Sequence, residues 1–271
     1  MSSVTVTRPG DGRIAIVTFN DPKKLNALNA DMGEEFKVVV NQLCEEADSE
    51  NLGAVVLTGE GRAFSAGGDL KFLRDRATDT PTRNATIMRR FYERFLSVRR
   101  LPVPVVAAIN GPAIGAGLAV ALACDVRIAA ADAKMGITFV GLGLHPGMGS
   151  THFLPRLIGN QMAAQMMLTG QVIDGKEAHR IGLVSEMTET PESCVDRAVE
   201  LARQMSNAAP LAVRTCVRSL RMQQDEGLEK ALWREADTQS QVYNSKDYTE
   251  GLDALVEKRK PVFGDFESLK E

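Results

Sequence analysis

The sequence predicts an α/β fold, and three observations carry that expectation. Up to about residue 145, short apolar runs bounded by turn residues alternate with stretches whose apolar residues recur at helical spacing. From Ser150 onward the pattern becomes mostly helical. No Gly/Ser linker or low-complexity segment divides the two regions, so one core with a helical extension is expected.

Each element follows from local pattern. "RIAIVTFN" alternates from Ile14 and reads as a strand. "NADMGEEFKVVVNQLCEEA" opens on a capping Asn29 and continues as a helix. "GAVVLTG" is a short buried strand, and "RAFSAGGDL" is a glycine loop leading into a helix. "NATIMRRFYERFLSVRRL" reads as an amphipathic helix capped by its leading polar residue. "VPVVAAIN" is a buried strand, "GPAIGAGLAVALA" turns into an apolar helix, and "CDVRIAAADAKMGI" supplies a strand and a loop. Beyond them come helical segments beginning "THFLPRLIG" and ending in the tail up to Lys260.

The 271 residues contain 44% hydrophobic and 25% charged residues, as soluble globular chains do. A formal charge of −3 argues against a nucleic-acid partner. The longest apolar stretch, from Val103 to Cys124, is interrupted by Asn110, Pro112 and glycines, so no membrane association is expected. The N-terminal stretch lacks a signal core and an Arg-rich transit pattern, which points to a cytoplasmic protein, with a mitochondrial or peroxisomal matrix left open. Cys44, Cys124, Cys194 and Cys216 lie far apart with no CxxC pair; reduced thiols and no metal site are expected.

Two glycine turns stand out, Ser65–Lys71 and Asn110–Gly117. Each follows a buried strand, and the second opens a helix. Helix starts leave N–H groups unpaired and favour negative charge. Facing one another, the turns could supply an oxyanion hole; alone, either could be just a tight turn. A third stretch, "GLGLHPGMGSTHFLPRLIG", brings His145 into a glycine loop, as a proton-transfer group or as a loop residue donating to a backbone carbonyl. His152 reads as structural, His179 as a surface residue, and the methionines of "NQMAAQMMLTG" as packing.

"RAFSAGGDLKFL", "AAINGPAIGAGLAVALACDVRIAA" and "ALVEKRKPVF", with "DPKKLNALN" and "LTGQVIDGKEAHRIGLVSEM", resemble the enoyl-CoA hydratase/isomerase, or crotonase, family along nearly the whole chain. The resemblance implies a spiral of ββα repeats over residues 1–200 and a C-terminal helical trimerisation region over 201–271, assembled as a homotrimer or hexamer. It implies a coenzyme A thioester as substrate or ligand, no permanently bound cofactor, and a place among the lyases and isomerases of fatty acid metabolism. By matching motifs, the N–H groups of Gly68 and Ala116 would hold the thioester oxygen. Ala66 would contact the adenine end, with Asp69 and Leu70 in the same turn. Lys71 and Lys258 would lie near the CoA phosphates, unless they are plain surface charges, and Lys258 could reach from a neighbouring subunit.

The family's hydratases place two glutamates around the thioester; the corresponding positions here are Ala119 and Phe139, and a further acid position in some relatives is Gly147. None of these side chains moves a proton. The expected activity is therefore atypical: hydratase, isomerase, decarboxylase or hydrolase chemistry on an enolate-like oxyanion, with Gly68, Ala116 and His145 as candidate catalytic residues. The alternative is a non-catalytic acyl-CoA-binding oligomer on the same fold. The apolar tail residues Leu228, Leu232, Trp233, Leu252 and Leu255 require a burial partner.

Overall fold

The structure is a computed structural model and describes residues 2–10, 12–49 and 51–264. Its strands are β1 (Val4–Thr7), β2 (Ile14–Phe19), β3 (Ala54–Gly59), β4 (Val105–Ile109), β5 (Ala113–Ile114), β6 (Val126–Ala130), β7 (Met135–Gly136), β8 (Val172–Ile173) and β9 (Glu186–Thr188). Its helices are α1 (Ala30–Asp48), α2 (Leu70–Ala77), α3 (Pro81–Leu96), α4 (Ala116–Leu122), α5 (Ser150–Thr169), α6 (Gly175–Arg180), α7 (Pro191–Ser206), α8 (Pro210–Gln224), α9 (Leu228–Val242) and α10 (Lys246–Glu257).

Among the described residues the main sheet runs β1-β2-β3-β4-β6-β9, and only the β1–β2 pair is antiparallel. Register is continuous through its centre: Val17 lies opposite Leu57, and Leu57 opposite Ala107. β3 and β4 are buried throughout, which is why they read as unbroken apolar runs rather than alternating ones. Helix α7 covers the sheet with a face of small residues, Cys194, Ala198, Ala202 and Ser206, at a spacing of four. Elsewhere in the core, Phe19 of β2 meets Phe36 of α1 and Phe95 of α3 at ring separations of 5.3 and 6.1 Å. A second, small sheet, β5-β7-β8, lies apart, and isolated bridges Leu28–Gly68 and Ser65–Ala113 tie the glycine turns to their neighbours.

Several elements depart from the sequence reading. β1 was not anticipated, and β8 and β9 interrupt the region read as helical. Helix α3 starts earlier than Asn84: Thr80 accepts from Arg83 N and Pro81 occupies the first turn. Asn84 is instead buried, donating to the Arg76 carbonyl at 2.8 Å. Helix α5 is broken at Gly159, whose φ is 77°. Residue 200, the expected domain boundary, falls inside α7.

The tail finds its burial partner largely within its own chain. α9 packs along α3, and α10 packs on the turn at residues 139–142. That second contact is backbone on backbone: a Cβ added at Gly251 would lie 2.6 Å from the Leu142 carbonyl carbon. Leu252 is buried, Leu228 and Leu232 pack against the core, and Trp233 and Leu255 stay about half exposed. Among the described residues no helix is long and apolar enough to cross a membrane.

Helix α8 is fastened by Arg221. Its buried guanidinium donates to Asp125 at 2.8 Å through Nε, to the Arg99 carbonyl at 3.0 Å, and to the Leu101 and Val103 carbonyls. Replacing Arg221 with Met strands the Asp125 carboxylate and three carbonyls. The expected loss is about 3–5 kcal/mol of unfolding free energy, the usual result of breaking a buried pair from one side. Urea denaturation of the two proteins measures it; a loss below about 1 kcal/mol would show that the contact is dispensable.

Candidate active site

The two glycine turns come together beyond the C-terminal ends of the central strands β3 and β4. Ser65 N donates to the Pro112 carbonyl at 3.0 Å, and Ile114 N to the Ser65 carbonyl at 3.0 Å. Asn110 holds the second turn, with its amide donating to the Gly59 and Gly61 carbonyls at 2.8 and 3.0 Å. Asn26, itself left-handed at φ 55°, donates to the Ala63 carbonyl at 2.7 Å. The Ser65 hydroxyl donates to the Asn26 carbonyl at 2.8 Å and accepts from Gly67 N at 3.2 Å. Gly67 is required there: its φ is 92°, and a Cβ would lie 2.7 Å from the Ile114 carbonyl oxygen and 3.6 Å from Ala116 N.

Two of the N–H groups left over belong to the cavity wall. Neither Gly68 N nor Ala116 N has a hydrogen-bond partner among the described residues, and both residues line one cavity of about 360 Å3. Ala116 is also the first residue of α4, so the helix end adds partial positive charge at that point. The rest of the wall is mostly apolar and aromatic, with Thr138, Gln239, Tyr92 and Tyr243 as its polar side chains. Phe72 and Phe91 stack at 4.6 Å, Phe139 and Leu142 come from the turn before the His145 loop, and Leu255 comes from α10. Among the described residues no carboxylate and no imidazole lines the cavity.

The expected site residues separate into groups. Ala66, Gly68 and Ala116 line the cavity, and Ala66 N is fixed on the Leu25 carbonyl at 2.9 Å. Asp69 turns to its own helix, where it caps α2 by accepting from Lys71 N at 3.0 Å and Phe72 N at 3.2 Å. Burial acts to raise the Asp69 carboxyl, but Lys24, whose Nζ lies 3.1 Å away, and the two cap bonds outweigh it and hold it below its usual range. Leu70 is partly exposed, and Lys71 is exposed and lies 3.2 Å from Asp75. Lys258 is exposed at the left-handed end of α10 of this same chain. Phe139 faces the cavity, whereas Ala119 is wholly buried behind the wall.

His145 is not brought to the cavity. Its Nδ1 lies 2.6 Å from the Pro146 carbonyl, the loop alternative read from the sequence. Burial pushes the imidazole below its usual range, and the Pro146 bond only partly opposes that. His152 is buried with Nε2 2.7 Å from the Gln224 carbonyl, a structural contact.

A polar group that the sequence reading missed closes the far wall. Gln239 of α9 accepts from Tyr92 at 2.6 Å and lies 3.3 Å from the Tyr243 hydroxyl, and its amide donates to the His145 carbonyl at 2.7 Å. Burial raises the Tyr92 phenol far above its usual range, so it stays neutral. One helical turn earlier, Glu235 accepts from Gly149 N at 2.6 Å and Thr151 N at 2.9 Å, capping α5. The only sequence signal for these was a polar residue at a core-facing position of a tail helix.

The enoyl-CoA hydratase/isomerase family model matches residues 10–266. The chain belongs to the enoyl-CoA hydratase/isomerase family. It is 37% identical over 251 residues to the short-chain-enoyl-CoA hydratase of Clostridium acetobutylicum, covering 92% of this chain and 94% of that one. It is 33% identical over 266 residues to the 2,3-dehydroadipyl-CoA hydratase of Escherichia coli, covering 97% and 99%. A crystal structure of an enoyl-CoA hydratase/isomerase from Pseudoalteromonas atlantica superposes with a TM-score of 0.83 at 30% identity, covering 97% of this chain and all of that one. The family is one of enzymes, and the crotonase spiral expected from the sequence is the fold observed.

Glu235 gives this enoyl-CoA hydratase/isomerase family member a testable pH dependence. Burial raises its carboxyl above the usual range; bonds from Thr151 and Gly149 oppose that without cancelling it. A raised folded-state value means the native state holds the proton more tightly than the unfolded chain. The resulting stability is present below the unfolded carboxyl value and is lost as pH rises through the folded one. The stability difference between wild type and Glu235→Gln, followed by urea titration from about pH 4 to 8, should shift against wild type as pH rises. A difference independent of pH would show that Glu235 is not titrating across that range.

Proposed function

We propose that the protein binds an acyl-CoA thioester and holds its carbonyl oxygen between the N–H groups of Gly68 and Ala116, stabilising enolate character at that oxygen. The observation that carries this reading is the pair of unpaired backbone donors in a largely apolar cavity. Donors fixed in advance in a water-poor cavity act strongly on developing negative charge. The CoA ligand is supported by family membership, and its phosphates would meet Lys71 and Lys258, with Lys24 nearby.

The absence of carboxylate and imidazole from the cavity wall favours reactions that need no protein base. Loss of carbon dioxide from a β-carboxylate is one: the C–C bonding pair moves to the α-carbon, the thioester oxygen carries the charge, and water returns the proton. Hydration is disfavoured, because Ala119 and Phe139 offer no group to activate water. In this reading His145 supports its loop and the catalytic set reduces to Gly68 and Ala116. The same wall favours the second reading, an acyl-CoA-binding protein without turnover. Half-exposed Trp233 and exposed Leu211 support the oligomer that the family resemblance implies.

Calorimetry and turnover on a panel of CoA thioesters separate these readings. Acyl-CoA should bind more tightly than the free acid, and absence of binding to any acyl-CoA would refute the proposal. Crotonyl-CoA should be hydrated below the usual enzyme range of about 1–10³ per second. Phe139→Glu, which puts a carboxylate on the cavity wall, should raise that rate; efficient hydration by the wild type would overturn the account of the missing base.

Gly68→Pro deletes one donor outright. On whichever thioester is turned over, it should lower kcat by about 10²–10³-fold. Circular dichroism establishes that the variant is folded, and unchanged turnover in a folded variant would remove Gly68 from the catalytic set. His145→Ala should leave turnover of the folded fraction nearly unchanged, which a loss of about 10²-fold or more would contradict.

A further inference from the structure

We propose that a groove beside α8, separate from the acyl cavity, binds a phosphate-bearing small molecule. The groove, of about 540 Å3, lies between α8 and the turn at residues 99–102 and shares no lining residue with the acyl cavity. It is lined by five guanidiniums, those of Arg99, Arg100, Arg214, Arg218 and Arg221, against a single carboxylate, Asp225.

The five are not equivalent. Arg221 is spent on Asp125 and the carbonyls of residues 99, 101 and 103, so it builds the groove floor. Arg99 is also buried in place, donating to the Ala123 carbonyl at 2.9 Å and pairing with Asp225 at 2.7 Å. Once Asp125 and Asp225 are matched to these two, three guanidiniums remain without a counter-charge. Arg214 reaches only the Leu52 carbonyl, at 3.5 Å. Arg100 and Arg218 have no ion pair or side-chain hydrogen bond among the described residues and are exposed at the groove mouth.

Such a concentration of positive charge is unexpected in a chain of net charge −3. Mutual repulsion of guanidiniums costs stability unless an anion compensates it. Arginine presents a planar fork of donors matched to phosphate oxygens, and a multiply charged phosphate satisfies several forks at once. Buried Leu101 and Val217 and exposed Met222 supply an apolar flank beside the charges. The ligand class that fits is therefore a phosphorylated compound with an apolar or planar portion, held by two or three arginines. It meets a rigid wall, because Arg221 and Arg99 lock the turn to α8 and to α4's end.

The test uses the full chain, with tripolyphosphate and ADP as probes in calorimetry at about 0.15 M ionic strength, where diffuse surface charge is largely screened. Each probe should bind once per chain, ADP more tightly because it also uses the apolar flank. Arg100→Ser with Arg218→Ser should weaken both by about tenfold or more while leaving thermal stability and acyl-CoA affinity unchanged, since both side chains are exposed and unpaired. Lys71→Ser with Lys258→Ser, at the proposed CoA phosphate contacts, should leave both affinities unchanged. The proposal is overturned by absence of binding, by undiminished affinity in the arginine double variant, or by loss of affinity in the lysine variant, which would assign the probe to the acyl-CoA site. It is also overturned if the double variant changes only the oligomer size in light scattering, which would assign the groove to contacts between copies. Should the double variant unfold, Arg218→Ser alone carries the same test with a smaller loss.

Discussion

The site depends on keeping two backbone N–H groups unpaired inside a folded protein. Each such donor costs about 1–3 kcal/mol when buried without a partner, so the chain would collapse onto them if it could. It is prevented by hydrogen bonds that take the donors next to them. Gly67 N is taken by Ser65, Ala66 N by Leu25, and Asp69 N by Leu28. Asn26 and Asn110 then fix the carbonyls on either side. The side chains that matter most around the donors are thus amides and a hydroxyl that never face the cavity.

The cavity magnifies what those donors do. Field strength rises as the surroundings become less polarisable, and this wall is built from phenylalanine, methionine and leucine side chains. A carboxylate placed among them would be penalised by burial and would hold its proton to higher pH, the condition in which it serves as acid or base near neutrality. The apolar Phe139 avoids that penalty but forgoes the chemistry. In the proposed reading the donors and the proton-transfer groups are therefore separable: the donors stay in place without the acids.

Much of the fold was legible in the sequence because burial and periodicity act locally. The runs that became β2, β3, β4 and β6 each carry the pattern of a strand covered on one or both faces. The two glycine turns were legible for a similar reason, since close backbone approach leaves few alternatives to glycine. What was not legible was set at long range. The strands β5, β7 and β8 are two residues each and exist through pairing with segments distant in the chain. Asn84 resembled a helix cap in isolation and is buried against Arg76 because α2 and α3 meet there. His145 had the right chemistry in a loop near the site, but its ring is taken by the neighbouring carbonyl. No pattern along the chain could reveal that Gln239, almost a hundred residues later, holds the same loop.

The hydrogen-bond inventory of that far wall decides what kind of recognition the cavity performs. A side-chain amide oxygen has two acceptor positions, and at Gln239 both are met by phenols, those of Tyr92 and Tyr243. One N–H of the amide is committed to the His145 carbonyl, and the single Tyr243 proton is shared between Gln239 Oε1 and the Met88 sulfur at 3.2 Å. Most of the group's hydrogen-bonding capacity is thus spent inside the protein. Its contribution is shape: it locks α9 against α3 and the 145–149 loop and so sets the depth of the cavity. In the proposed reading, recognition of the ligand oxygen falls to the two free N–H groups, and the apolar remainder of the wall takes the acyl portion.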